Sequence, residues 1–333
     1  MNVLKRLMAV TGLFLVIGLG LVEACRVKKC SLSTPADEFS KAPLISLIKD
    51  PGFRNGLYLK GAVSGAPSAG ESLYPFGSDG HQSVWELAEW NSRHLLHQSL
   101  LNDKDGMKLY ENKAKRVSFE QKGNEIVVRL DVNASVEYDH PRKSNEPWTH
   151  LLVEQDFIEK PLLKDIDKLT LFFDGRLIQC VSAMPEGTFD PGLHTAQFQL
   201  FLVIQDRNPQ SIKFGDFLWF GVPFYDYRFR KASVYAAQDI GKDDATGKFI
   251  YSLGTDDFMQ GSFHDKEWIK IEKNLKPFIM EAISVAKERG YLSGSAIEDM
   301  GISGMNLGWE VPGIFDAGFE FKRFDLKYSA VSN

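Results

Sequence analysis

The chain has 333 residues, with 39 Lys and Arg, 44 Asp and Glu and a formal net charge of -5 at pH 7. Charges of both signs are interspersed, without the basic patch of a nucleic-acid-binding surface, so the sequence predicts no nucleic-acid partner. Hydrophobic residues make up 44% of the chain, which is enough for a globular protein with a full core.

The N-terminus has the layout of a secretory signal. Residues 1–6 supply two positive charges, residues 7–22 form an uncharged apolar run, and Glu-Ala-Cys follows. The run is shorter than the roughly 20 residues that span a bilayer, which favours cleavage over a permanent anchor helix. The sequence therefore predicts a signal peptide over residues 1–24 and an extracytoplasmic protein.

Four residues at the predicted cleavage site, Leu21, Val22, Ala24 and Cys25, resemble the lipobox of bacterial lipoproteins. The resemblance implies that Cys25 is lipidated and anchors the protein in the cell envelope, in the periplasm or at the outer membrane. The same residues also suit ordinary signal peptidase, which would leave a secreted protein with a plain thiol at Cys25. If Cys25 carries the lipid, Cys30 and Cys180 remain, and they would either form a disulfide or stay unpaired.

Residues 25–43 are polar and aperiodic, which predicts a flexible tether. From residue 44 onward the main pattern is an alternation of apolar and polar residues, which is typical of strands with one buried face. Its longest example, residues 125–140, predicts a single strand. An Asp-Gly pair at 174–175 predicts a tight hairpin. The other predicted strands are 149–158, 167–175, 175–184, 196–206, 216–224, 232–240, 305–311 and 317–329.

Two segments, residues 81–101 and 265–290, have apolar residues at helical spacing instead. Pro277 is expected to kink the second segment or to begin a new helix there. Because strands and turns dominate, the sequence predicts an all-β fold: one antiparallel β-sandwich or jelly roll over residues 44–333, with one or two peripheral helices.

The segment 215–230, GDFLWFGVPFYDYRFR, is rich in aromatic and charged residues. Alternation puts Phe217 and Trp219 on one strand face, and the Gly-Val-Pro at 221–223 is expected to end the pairing. Tyr225, Asp226 and Arg228 would then lie at the rim of the sheet. Aromatic rings beside a carboxylate and a guanidinium suit a sugar ligand, and the alternative is a core strand that ends in an ion pair.

Residues 146–157 contain a second candidate. Alternation puts His150 and Glu154 on one face of a strand and Gln155 on the other. A carboxylate in a partly desolvated sheet has a raised pKa, which is what a general acid needs. The alternative for Glu154 is a solvated strand face.

Polar side chains on two further strands are expected to line the same concave face. Gln197 and Gln199 alternate with apolar residues and can bind hydroxyl groups, or they can simply face solvent at a sheet edge. Asn133, Ser135 and Glu137 alternate in the same way on the strand 125–140. Glu86 and Glu89, three residues apart between two tryptophans, would share a face of the predicted helix.

The C-terminal segment contains Trp309, Glu310, Pro312, Gly313, Phe315, Phe319, Phe321 and Leu326. It resembles the closing strands of jelly-roll carbohydrate-binding and concanavalin-like domains. The resemblance implies a β-sandwich that binds polysaccharides or oligosaccharides.

The sequence is thus interpreted as an exported, lipid-anchored glycan-active protein without a metal or another cofactor. A glycoside hydrolase would use Glu154 with Asp226 or Glu137 as the second carboxylate. A polysaccharide lyase would need His150 or Tyr225 as base and Arg142 or Gln155 as charge neutraliser. Non-catalytic glycan binding and an envelope scaffold are the alternatives. The residues predicted to bind the glycan are Trp219, Tyr225, Arg228, Gln155, Gln197 and His150.

Overall fold

The computed structural model describes residues 43–62, 71–78, 80–97 and 99–331. Its strands are β1 Ile45–Ser46, β2 Leu57–Gly61, β3 Ser72–Leu73, β4 Trp85–Ala88, β5 Asn102–Lys104, β6 Met107–Glu111, β7 Lys115–Lys122, β8 Glu125–Asn133, β9 Thr149–Asp156, β10 Ile166–Ser182, β11 Gln197–Asp206, β12 Phe217–Asp226, β13 Tyr235–Gln238, β14 Phe249–Ser252, β15 Ile269–Asn274, β16 Met300–Val311 and β17 Phe315–Ala330. Its α-helices are α1 Thr255–Phe258 and α2 Lys276–Glu288. Short 3₁₀ helices lie at Ala134–Val136, Leu163–Asp165, Phe263–Asp265 and Ile297–Asp299.

The described strands form two sheets. Sheet I has the order β15-β10-β17-β8-β7-β6-β5, with β1 also paired to β17, and sheet II has the order β13-β14-β12-β11-β16-β9-β4-β2-β3. All pairings are antiparallel except β12 with β14 and β2 with β4. The prediction of an all-β sandwich with peripheral helices is confirmed.

Stacked aromatic rings join the two sheets in the core. Phe173 of β10 stacks on Phe224 of β12, and Phe198 of β11 stacks on Phe319 of β17, each with centroids 4.0 Å apart. Trp309 of β16 packs edge-on against Phe198. Such large apolar side chains contribute most of the burial energy of a core, so sheet II is held with one face inward.

The predicted hairpin at Asp174-Gly175 is wrong. β10 runs through this pair as one strand of 17 residues, because β17 and β15 pair with it on both sides. Gly175 is needed here for close packing: a Cβ would lie 2.5 Å from the Phe173 ring and 2.8 Å from the Phe319 ring. The glycine thus makes room for core aromatics instead of forming a turn.

Three other boundaries differ from the predictions. The strand predicted over 125–140 ends at Asn133, where a 3₁₀ turn begins. Residues 85–88 form strand β4 and not a helix, because they pair with β9 and β2. In the segment 265–290, residues 269–274 form β15 instead of a helix; α2 begins at Lys276 with Pro277 in its first turn, which agrees with the alternative that a new helix begins there.

Several N-terminal predictions lie outside the described residues. These are the signal peptide, Cys25, Cys30 and the tether up to residue 42. Cys180, on β10, is a free thiol in the structure. Within the described ranges, no helix is long and apolar enough to cross a membrane.

Candidate functional site

Sheet II turns one face to the core and the other away from it. We call the second the outer face; it carries Lys60, Glu86, His150, Leu152, Glu154, Gln197, Gln199, Phe201, Phe217, Trp219, Asn306, Gly308 and Glu310, which alternate with core residues along their strands. Unlike the core face, it combines carboxylates, amides and aromatic rings. This mixture of groups suits a polar ligand that also has apolar surfaces.

Strand register aligns several of these residues in one row across the sheet. Glu154 lies directly opposite Glu86 of β4 on one side and Asn306 of β16 on the other. Asn306 in turn lies opposite Phe201 of β11. Directly opposed residues on one face of a sheet are close enough for their side chains to interact. The row therefore places two carboxylates and one amide side by side.

Lys60 joins the two carboxylates. Its Nζ lies 3.0 Å from Glu86 Oε2 and 3.1 Å from Glu154 Oε2. Since both oxygens contact the same nitrogen, they are at most about 6 Å apart, so the two carboxyl groups are near enough to act on one glycosidic bond. Burial acts to lower the pKa of Lys60, but Glu154 and Glu86 outweigh it and raise that pKa.

Glu154 has the electrostatics of an acid that works near neutral pH. It is only 7% exposed, and burial raises its pKa to about 7, although the Lys60 cation counteracts the shift. The nearby Glu86 carboxylate raises the pKa further. Half of the Glu154 population is thus protonated near pH 7, when an ordinary glutamate would be ionised.

Asn306 offers a polar atom without a protein partner. Its side chain is 7% exposed, and its Oδ1 is buried and accepts no hydrogen bond. An unpaired buried acceptor costs free energy in the unliganded protein. A ligand hydroxyl that bonded to Oδ1 would remove this cost.

His150 and Trp148 form a second polar cluster on the outer face, four residues along β9 from Glu154. Trp148 Nε1 donates to Glu310 Oε2 at 3.1 Å, and its ring stacks on the His150 ring. Burial lowers the pKa of His150 to about 4, although Glu310 opposes the shift. His150 is therefore neutral near pH 7. Nearby, Trp90 Nε1 is buried without an acceptor.

Trp219 lies on the outer face as alternation predicts, together with Phe217. The two rings meet edge-on with centroids 5.2 Å apart, and Phe201 contacts Trp219 from the neighbouring strand. Trp219 Nε1 donates to Thr246 Oγ1 at 3.1 Å. Because Trp219 is only half-buried, it can present ring surface to a ligand.

The expected strand break at 221–223 does not occur, and the expectation that Tyr225 lies at a rim is corrected; Asp226 is the last residue of β12, and Arg228 follows the strand end. β12 continues through Pro223 to Asp226, and Tyr225 packs in the core against Trp309. The β11–β12 register shifts there, so the irregularity is absorbed within the ladder. Tyr225 is thus a core residue and not a free aromatic platform.

Asp226 is buried and fully engaged in hydrogen bonds. Arg228 binds both of its oxygens, Thr195 donates to Oδ1 and Gln197 donates to Oδ2. Arg228 and Gln197 are therefore occupied by Asp226. This arrangement is a structural ion pair, because a carboxylate with all acceptor positions filled has none for a substrate.

Glu137 and Gln155 also lie away from the row of carboxylates. Glu137 belongs to a loop that follows β8 of sheet I, and its Oε1 lies 2.6 Å from the buried Lys115 Nζ. Gln155 binds the backbone N and O of Lys49. Asn133 lies at the end of the same strand β8, so the predicted common face of Asn133, Ser135 and Glu137 with sheet II does not form.

Two residues of the site, Lys60 and Asn306, were not predicted, and neither was the position of Glu86 beside Glu154. The sequence holds a signal for each, since Lys60 and Asn306 interrupt apolar strands and Glu86 alternates with Trp85 and Leu87. Within the described residues, no group of three His, Cys, Asp or Glu side chains is placed to hold a metal ion.

No family model and no curated protein matches this chain. Among solved structures, it is similar to a cellulase derived from that of Rhodothermus marinus (10% identity, TM-score 0.38, covering 74% of this chain and 100% of the other). It is also similar to a family 12 xyloglucanase from Bacillus licheniformis (9% identity, TM-score 0.38, covering 74% of this chain and 100% of the other). A third similar structure is a family 11 xylanase from Neocallimastix patriciarum (9% identity, TM-score 0.36, covering 70% of this chain and 95% of the other). At these values no substrate and no residue role transfers to this chain.

Proposed function

We propose that the outer face of sheet II binds a polysaccharide and that Glu154 and Glu86 hydrolyse it. The observation that carries this proposal is the pair of opposed carboxylates beside Lys60, of which Glu154 is buried and has its pKa raised to about 7, while the Glu86 side chain is 37% exposed. Two carboxyl groups in different environments are the basic requirement of a glycosidase.

Glu154 would act as the general acid. Its proton would pass to the glycosidic oxygen as the bond to the anomeric carbon breaks, while Glu86 attacks that carbon and forms a glycosyl ester. Ionised Glu154 would then take a proton from water, whose oxygen attacks the same carbon and releases Glu86. Asn306 Oδ1 would accept a hydrogen bond from a sugar hydroxyl, and Trp219 would contact a sugar ring.

A non-catalytic glycan-binding face is the second candidate. Lys60 Nζ is within hydrogen-bond distance of both carboxylates, and it occupies the space between them where a glycosidic oxygen would have to lie. If Lys60 kept this position with a ligand bound, neither carboxylate could reach the glycosidic bond. The face would then bind glycans without cleaving them.

A lyase mechanism has less support. Arg142 donates to the backbone oxygens of Glu146, Leu193 and Gly241, and Gln155 is bound to Lys49. Tyr225 is buried in the core. The charge neutralisers and one of the two bases that elimination needs are thus engaged elsewhere.

The test is a comparison of Glu154→Gln and Glu86→Gln with the parent protein on a panel of polysaccharides. Hydrolysis predicts that both variants lose reducing-end release by at least about a hundredfold but still bind the glycan. Glu272→Gln, on an exposed position of β15, is the matched control. Binding without cleavage by the parent protein would favour the second candidate, and neither binding nor cleavage would favour a scaffold.

We also propose that the protein acts outside the cytoplasm, anchored by lipid at Cys25. The support is the N-terminal sequence: a charged start, an apolar run and the lipobox-like residues. A polysaccharide substrate fits this location, since such polymers are met in the envelope or outside the cell.

A further inference from the structure

The segment that joins β13 to β14, residues 239–248, crosses the outer face, and we call it the strap. Its two ends are tied together at the edge of sheet II, where Asp239 N donates to Lys248 O at 2.7 Å and Gly247 N donates to Asp239 O at 3.1 Å. Near this base, Thr246 Oγ1 accepts the hydrogen bond from Trp219, an outer-face residue of β12.

The tip of the strap contacts residues next to β9 and β4, which lie farther along the order of strands in sheet II. Lys242 Nζ lies 4.3 Å from the centre of the Trp148 ring, which precedes β9. Asn91, which follows β4, donates to Asp244 Oδ2 at 3.2 Å. In the sheet order, β12, β11 and β16 lie between β14 and β9. Because Trp148 and Trp219 both belong to the outer-face side, the strap passes over these three strands on that side.

The strands beneath the strap carry groups that would meet a ligand. Gln199, Phe201 and Asn306 are buried although they face away from the core. The unpartnered Oδ1 of Asn306 is one of these groups. Asn306 belongs to the same row as Glu86 and Glu154, so a ligand that extended along this row to β16 would approach one of the strands that the strap crosses.

The contacts of the strap tip are few and polar. Besides the side-chain contacts of Lys242 and Asp244, the carbonyl oxygen of Gly241 accepts a hydrogen bond from Arg142 Nη2 at 2.8 Å, and the backbone of Lys242 forms an isolated parallel β-bridge with Asn145. Gly241 and Gly247 have φ of +95° and +68°, so both ends of the tip are in a region that glycine adopts easily. Apart from the Trp148 ring beneath Lys242, these contacts of the tip with the described residues are polar, and most tip residues are exposed; segments with few buried apolar contacts open locally at low free-energy cost.

We propose that the strap is a gate: contacts of Gly241, Lys242 and Asp244 hold it shut, and it swings about Gly241 and Gly247 to admit the ligand. The inference rests on the proposed function for the identity of the ligand, a glycan. The opening of the strap does not depend on that identity and can be measured without a ligand.

The first experiment measures backbone hydrogen exchange of the mature protein, without ligand, in Asp244→Ala and Lys242→Met. If these side chains latch the gate, exchange across residues 240–247 should speed up by roughly three- to tenfold while exchange in the core strands stays unchanged. Asp256→Ala, which removes an exposed ion pair with Lys231, is the control and should leave the strap unchanged. Unchanged strap exchange in both latch variants would overturn the proposal.

The second experiment measures the association rate of soluble oligosaccharides. Asp244→Ala and a shortened strap, in which residues 242–246 are replaced by two glycines, should both bind faster than the parent protein. Equal association rates in all three proteins would overturn the gate. If no oligosaccharide binds any of them while exchange responds to the latch variants, the strap opens as proposed and the glycan assignment fails.

Discussion

Glu86 and Glu154 lie directly opposite each other on neighbouring strands of sheet II, and Lys60 bonds to both. The three side chains come from β4, β9 and β2, so no short motif contains them. Their arrangement makes specific predictions about pH, because burial raises the pKa of Glu154 and the Lys60 cation opposes that shift.

Hydrolysis should depend on protonated Glu154. Activity is therefore expected to be highest below about pH 7 and to fall as the pH rises through that value. In Lys60→Met the cation that lowers the pKa of Glu154 is gone, so the falling limb should move to higher pH by about one unit. Initial rates between pH 4 and 9 give both profiles. If activity fell at the same pH in Lys60→Met and in the parent protein, this result would contradict the assignment of Glu154 as the general acid.

Protein stability should fall from pH 5 to pH 8 because of buried Glu89. Burial raises its pKa to about 7 against an ordinary value of 4.5, so its contribution is greatest below about pH 4.5 and declines until pH 7. Glu89→Gln keeps an acceptor for the backbone N–H of Leu96 and should reduce this decline by roughly 2–3 kcal/mol. Urea unfolding at pH 5 and at pH 8 measures the decline in stability in the parent protein and in Glu89→Gln, with Glu272→Gln as control.

Asp226→Ala should destabilise the fold. It removes the partner of Arg228 and leaves the Thr195 hydroxyl and the Gln197 amide without their acceptor, so a loss of roughly 3–5 kcal/mol is expected. Asp265→Ala, in an exposed pair with Arg230, should cost less than about 1 kcal/mol. Thermal unfolding of both variants measures these two losses of stability. A stable Asp226→Ala protein that no longer bound glycan would restore a ligand role for this residue.

Trp219→Ala should weaken glycan binding with little effect on stability. The ring is half-buried on the outer face, and losing its contact with a sugar should lower affinity roughly tenfold. Trp309→Ala, in the core, should instead destabilise the protein by about 3–5 kcal/mol. Calorimetric titration and thermal unfolding should be run on both. An unchanged affinity in Trp219→Ala would remove that residue from the site.

Export and lipidation should be visible at the N-terminus. Mass spectrometry of the mature protein from a bacterial host is expected to find no residue before Cys25 and a lipid on it. Cys25→Ser should then release the protein from membranes. Mature protein that retained Met1 would argue against export, and membrane association that survived the substitution would argue against the lipid anchor.

Alternation along single strands determined which side chains share a face, because neighbouring residues of a strand point to opposite sides. It therefore placed Glu154 with His150, and Phe217 with Trp219, from the sequence alone. Leu218 and Phe220, which alternate with Phe217 and Trp219, lie on the other face and form part of the core.

Strand order and register were decided only by the tertiary structure. They depend on pairing between segments far apart in the chain, which local patterns do not encode. Pairing of β4 with β9 turned a predicted helix into a strand and brought Glu86 to Glu154, whereas pairing of β8 with β17 placed Glu137 with sheet I. Core packing likewise kept β10 continuous through Gly175 and β12 continuous past Pro223, since buried apolar contacts on both strands outweigh the local turn preference.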